Sequence, residues 1–172
     1  MVQERESGDV AGTEWERLFR DAIPLARFPS KWRILLDPGG VGRDEGWFKP
    51  ELSGVGKWDD ASIGKPPTVD TELYEKETRP HACHIVWLAS EFAWDDAFAD
   101  AETIFVNFRG VLDDCTAFVN GTPVGAHSFR CNPGTGVSFR LEIPPACLEK
   151  GKKQLLIVRI EAEEGKSAWL DY

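Results

Sequence analysis

One methionine, three histidines and two tyrosines in 172 residues leave little of the usual catalytic side-chain stock. No run of about 18 apolar residues occurs, so no segment is long and apolar enough to cross a bilayer as a helix. Basic residues are the minority, 20 Lys and Arg against 29 Asp and Glu, for a net charge of −9. Without a basic stripe there is nothing to release phosphate counterions, which excludes nucleic acid as a partner. A membrane surface is excluded on the same ground. Cys83, Cys115, Cys131 and Cys147 are widely spread and form no Cys-x-x-Cys pair. Structural zinc normally uses closely spaced ligand pairs, so the cysteines read either as buried thiols or as disulfide partners in an oxidising compartment. No Gly-x-Ser-x-Gly elbow occurs, nor an Asp-x-Asp-x-Asp-Gly loop. The first residues lack the basic start and apolar stretch of a secretory signal. The chain is therefore cytoplasmic, or its numbering begins after a signal or inside a larger parent. If that parent is secreted, the compartment is extracellular or periplasmic.

What is present is aromatic: seven tryptophans and ten phenylalanines. Such side chains suit a pleated surface, and they also stack on sugar rings. Residues 1–26 read as a polar tail and one short helix, with Thr13 and Glu16 forming a capping box and Pro24 ending it. Residues 27–172 read as one domain. Proline and glycine recur every few residues from Pro29 to Pro67, which keeps helices out and marks turns. Strands are expected at Lys31–Leu36, His84–Trp94, Thr103–Phe108, Cys115–Val119, Val137–Ile143 and Gln154–Glu161. Asn120-Gly121 signals a type I′ hairpin, because both residues tolerate positive φ. Short strands at this spacing, without helices between them, predict an all-β sandwich or barrel.

A series of segments, in order, resembles the N-terminal sugar-binding domain of family 2 glycoside hydrolases, the galactose-binding-like jelly roll also found in sialate acetylesterases. They begin with Lys31-Trp32-Arg33-Ile34 and Asp37-Pro38, followed by Gly46-Trp47-Phe48 and Lys57-Trp58-Asp59-Asp60. Next come Val86-Trp87-Leu88-Ala89-Ser90-Glu91-Phe92, then Phe108-Arg109-Gly110-Val111 with Ala117-Phe118-Val119-Asn120-Gly121-Thr122-Pro123-Val124-Gly125-Ala126-His127, and finally Gly151–Ile160. The resemblance implies a jelly-roll β-sandwich and a non-catalytic, carbohydrate-binding accessory role. Leu88-Ala89-Ser90 departs from the family's Tyr-Arg-Arg run, and the family's catalytic barrel with its two glutamates is absent from these residues.

Glycoside hydrolysis needs two carboxylates about 5 to 9 Å apart, one with a raised pKa. Asp59-Asp60, Asp95-Asp96 and Asp113-Asp114 read instead as solvated turn residues, so the chain is not expected to be an enzyme. No cofactor is expected; calcium in an acidic turn is the one metal such side chains leave open. His127 is expected to hydrogen-bond within a loop. Trp32 and Trp87 read as core. The candidate sugar contacts are Trp47, Trp58, Tyr74, Trp94 and Arg109, chosen as loop or strand-end aromatics and a strand-borne cation. The partner so implied is a weakly bound carbohydrate, with an adjoining catalytic domain. The competing expectation is a structural module that packs on such a domain and binds no sugar.

Overall fold

The structure is a computed structural model that describes residues 28, 31–51, 58–62, 84–108, 111, 113–128 and 139–162. Among the described residues eight strands form: β1 (Lys31–Leu36), β2 (Asp59–Ser62), β3 (Ile85–Ala93), β4 (Ile104–Phe108), β5 (Asp114–Val119), β6 (Thr122–His127), β7 (Phe139–Ile143) and β8 (Lys153–Glu161). A six-stranded sheet runs β2-β1-β3-β8-β5-β6 and a two-stranded sheet pairs β4 with β7; every pairing is antiparallel. The chain is an all-β sandwich. The helix expected in residues 13–22 lies outside the described residues. A one-turn helix, α1 (Ala97–Asp100), follows the Asp95-Asp96 turn, and Pro145–Cys147 forms a 3-10 turn after Pro144. Asp59 and Asp60 sit in β2 rather than in a turn, because they pair with Ile34 and Arg33 of β1.

The main core lies between the two sheets. Val86 and Leu88 of β3, Cys115, Ala117 and Val119 of β5, and Leu156, Val158 and Ile160 of β8 meet Ile104, Val106 and Phe108 of β4 and Ile143 of β7. Each large aliphatic side chain buried there contributes about 1.5–3 kcal/mol. The small sheet keeps one wet face, with Asn107, Arg140 and Glu142 exposed and Arg140 lying 4.3 Å from the Phe105 ring centroid. The outer face of the large sheet is covered as well. Ile85, Trp87, Ala89, Phe118, Leu155 and Ile157 form a second cluster, packed by Leu35, Trp47, Phe48 and Trp58. That two-sided burial explains why β3 and β8 read as near-continuous apolar runs rather than alternating ones.

The loop after β1 is folded onto this outer face by one carboxylate. Asp37 is 1% exposed and accepts hydrogen bonds from the Val41 and Gly42 main-chain N–H groups and from Trp87 Nε1, at 2.9, 3.0 and 2.9 Å. Three donors meet the requirement that a buried charge be hydrogen-bonded. At the opposite end, Asn120 and Gly121 take positive φ of 47° and 83° and turn β5 into β6, as their sequence predicts. Phe48 stacks on Phe118 beneath this hairpin, with ring centroids 4.7 Å apart.

Candidate functional site

The site begins where two strands part company. β1 pairs with β3 only from Leu36↔Val86 to Arg33↔Ala89, whereas β3 continues along β8 to Ala93↔Lys153. The Ile85 carbonyl accepts from Asp37 N–H on the β1 side, so the odd-numbered residues of β3 aim their main-chain groups that way. Glu91 and Ala93 consequently present N–H and C=O where no described residue of β1 pairs with them. The result is an open cleft of about 550 Å³ lined by Trp32, Arg33, Asp60, Ser90, Glu91 and Lys153, with Ala89, Phe92 and Ala93 completing the walls.

Its polar groups are of both signs. Arg33 and Asp60 are cross-strand partners in the β1–β2 pair, and Lys153 Nζ lies 3.1 Å from Glu91 Oε2. Ser90 is buried, and its Oγ has no hydrogen-bond partner among the described residues. Trp58 stands beside the cleft: the Arg33 guanidinium lies 5.5 Å from its ring centroid. The Trp58 indole N–H is likewise buried without a partner among the described residues.

Of the sequence-predicted contacts, Trp58 is the one whose described neighbours line this cleft. Trp47 is folded in by the Asp37 loop, 6.1 Å from Trp87 at an interplanar angle of 60°, with its Nε1 donating to Glu45 Oε2. Trp94 leaves β3 and packs edge-on against Phe98, with its Nε1 donating to Asp96 Oδ1. Tyr74 and Arg109 lie outside the described residues. Trp32 and Trp87 are buried, as expected. Arg33, Asp60, Ser90, Glu91 and Lys153 were not legible as site residues. They fall within the segments that carry the family resemblance, but nothing in those segments singles them out as ligand contacts, and what gathers them is the register at which β1 leaves β3.

His127 is in β6 rather than in a loop. Its imidazole stacks on Phe139 of the small sheet at 4.0 Å and 6°, and Phe139 stacks in turn on Phe108. Burial lowers the His127 pKa below its ordinary 6.5, partly opposed by the nearby Asp114 carboxylate. Cys115 and Cys147 are buried free thiols, and burial pushes Cys115 up to about 12. Cys83 and Cys131 lie outside the described residues. No three His, Cys, Asp or Glu side chains converge on a metal-sized point among the described residues.

No protein-family model matches the chain, and no curated protein does. Solved structures do. A crystal structure of Ruminococcus gnavus β-glucuronidase aligns with 77% of this chain at a TM-score of 0.59 and 17% identity. A second R. gnavus β-glucuronidase structure aligns at 0.60 and 18%, and the complex of that enzyme with D-glucuronic acid at 0.59 and 17%. In each case the chain spans about a fifth of the larger protein, 20% or 21% of its length. At that identity the likeness is one of fold: this chain folds like one domain of that β-glucuronidase.

Proposed function

We propose that this chain is a non-catalytic accessory module of a glycoside-active enzyme, a jelly-roll sandwich that binds carbohydrate weakly in the β1–β3 cleft. The observation that carries the reading is the cleft itself. It sets an aromatic ring, Trp58, beside planar and charged hydrogen-bonding groups, Arg33, Asp60 and Glu91, and beside the stretch of β3, Glu91 to Ala93, that no described residue of β1 pairs with. Sugars need that combination: ring C–H faces stack on an aromatic, and hydroxyls exchange water for directional polar partners. Affinity is expected to be modest, since each hydroxyl must give up water and the apolar area is small.

Calorimetric titration of the chain with neutral and uronic-acid-containing oligosaccharides, followed in parallel by tryptophan fluorescence, tests the proposal. Binding that is lost in Trp58→Ala and Arg33→Ala and kept in Trp94→Ala supports it. No heat and no fluorescence change with any glycan would overturn it. A second reading, docking on a partner domain without sugar, draws on a different observation. Leu36 and Val41, on either side of Asp37, are 49% and 44% exposed. Self-association that Leu36→Ser/Val41→Ser abolishes, together with absent sugar binding, would favour it.

A further inference from the structure

The hairpin residue Asn120 is held in a way that bears on its covalent fate. Its main-chain N–H donates to the Leu155 carbonyl at 2.9 Å, and its side-chain Oδ1 accepts the Leu155 N–H at 2.8 Å. The amide thereby extends the β5–β8 ladder one step past Val119↔Leu156. Nδ2 donates to the Cys147 carbonyl at 2.8 Å and to Gln154 Oε1 at 2.7 Å. Both amide hydrogens and the amide oxygen are engaged. Gln154 is 0% exposed and equally committed: its Nε2 donates to the Glu149 and Lys152 carbonyls, and its Oε1 also accepts the Glu149 N–H.

The residue that follows is Gly121, which offers no side chain to obstruct attack on its neighbour's amide. This is the one Asn-Gly pair in the chain. In an open chain the Gly121 main-chain nitrogen can attack Asn120 Cγ. The new N–Cγ bond closes a succinimide, the Cγ–Nδ2 bond breaks, and ammonia leaves carrying the Gly121 amide proton. Solvent water then opens the ring at either carbonyl, giving aspartate or isoaspartate. In the native chain three hydrogen bonds draw the Asn120 side-chain amide toward β8 and Cys147, and a fourth holds its main-chain N–H, so attack waits for the hairpin to open.

We infer that Asn120 is a deamidation site masked by the fold, and that its conversion permanently removes the chain from the native pool. Aspartate at 120 points carboxylate oxygens at two acceptors, the Cys147 carbonyl and Gln154 Oε1, where Nδ2 had donated. Gln154 cannot turn its own amide to help, because its Nε2 already serves two carbonyls. Isoaspartate adds a main-chain atom inside a two-residue turn and shifts the β5–β6 register, which Phe118↔Pro123 and Val119↔Thr122 fix. The site thus marks molecules by the time they spend unfolded.

Peptide mapping by mass spectrometry tests this on the intact chain under reducing conditions. Folded protein and protein in guanidinium chloride are aged side by side in mildly alkaline buffer. Conversion at Asn120 should be at least about a hundredfold slower in the folded sample, since the side-chain amide must first leave its hydrogen bonds to Leu155, Cys147 and the fully buried Gln154. Equal rates would overturn the masking. Dilution of the aged unfolded sample tests the consequence: the native fraction should retain Asn120, and the converted chains should collect in the non-native fraction. A control aged in acidic denaturant, where amide attack is slow, should refold fully. Converted chains that refold with an unchanged unfolding midpoint would overturn the second claim.

Discussion

Trp87 Nε1 donates to Asp37 Oδ2 at 2.9 Å across fifty residues of sequence, and the same carboxylate holds the Val41 and Gly42 amides. One buried acceptor therefore ties β3 to the loop that covers it. Asp37→Ala leaves two buried donors and one part-buried donor without a partner and should destabilise the fold by about 3–5 kcal/mol. Asp37→Asn keeps one acceptor oxygen and should cost less. Urea unfolding, read as a shift in midpoint at constant slope, checks both.

Gly42 is the neighbour that makes this closure fit. A Cβ there would lie 2.5 Å from Trp47 Cε3 and 2.7 Å from Trp87 Nε1, both well inside contact distance. Gly42→Ala should push Trp47 off the outer face and cost about 1–3 kcal/mol as an overpacked site. A red shift in tryptophan emission should accompany the lower midpoint. An unchanged spectrum and midpoint would show that the loop yields freely.

Much of the architecture is legible in the sequence. The strand at Lys31–Leu36, the aromatic and β-branched runs, and the Asn120-Gly121 turn follow from local chemistry, and local chemistry is what sequence displays. The Asp37 clamp was not legible, since Asp37-Pro38 reads as turn punctuation and its partner stands fifty positions away. Trp47 read as a loop aromatic free to stack on a ligand, and only the proximity of Gly42 and Trp87 shows it turned inward. The cleft was hidden for a different reason. It is made by strand register, by β3 outrunning β1, and no residue type announces that.

Acid should loosen the seam between the sheets at His127. Its native pKa lies below the ordinary 6.5, so above that pH both folded and unfolded chains carry neutral imidazole and nothing is gained or lost. As pH falls through 6.5 the unfolded chain takes up a proton that the native chain resists, and stability declines until the native pKa is passed. His127→Phe keeps a ring on Phe139 and should flatten this part of the pH profile. Denaturant midpoints collected from neutral to mildly acidic pH decide it.

Cys115 gives the opposite limb. Burial holds its thiol up to about 12 against an ordinary 9.0, with the His127 main-chain hydrogen bond pulling the other way and Asp114 adding to the rise. Above pH 9.0 the unfolded thiol ionises while the native one does not, so stability should fall from there toward about 12. Near neutral pH the same thiol should resist alkylation in the native chain and react promptly in denaturant. Rapid native labelling at Cys115 would contradict its burial.

Strand β8 lies between β3 and β5 and hydrogen-bonds to both, yet it is the last described strand to leave the ribosome. Until Lys153–Glu161 has emerged, β3 and β5 have no neighbour at the centre of the sheet, and Trp87, Leu88, Ala117 and Phe118 stand on open edges. The large sheet therefore closes only after translation of this region is complete. It does so through contacts distant in sequence, which slows assembly and leaves apolar edges of β3 and β5 open to aggregation until β8 slots in.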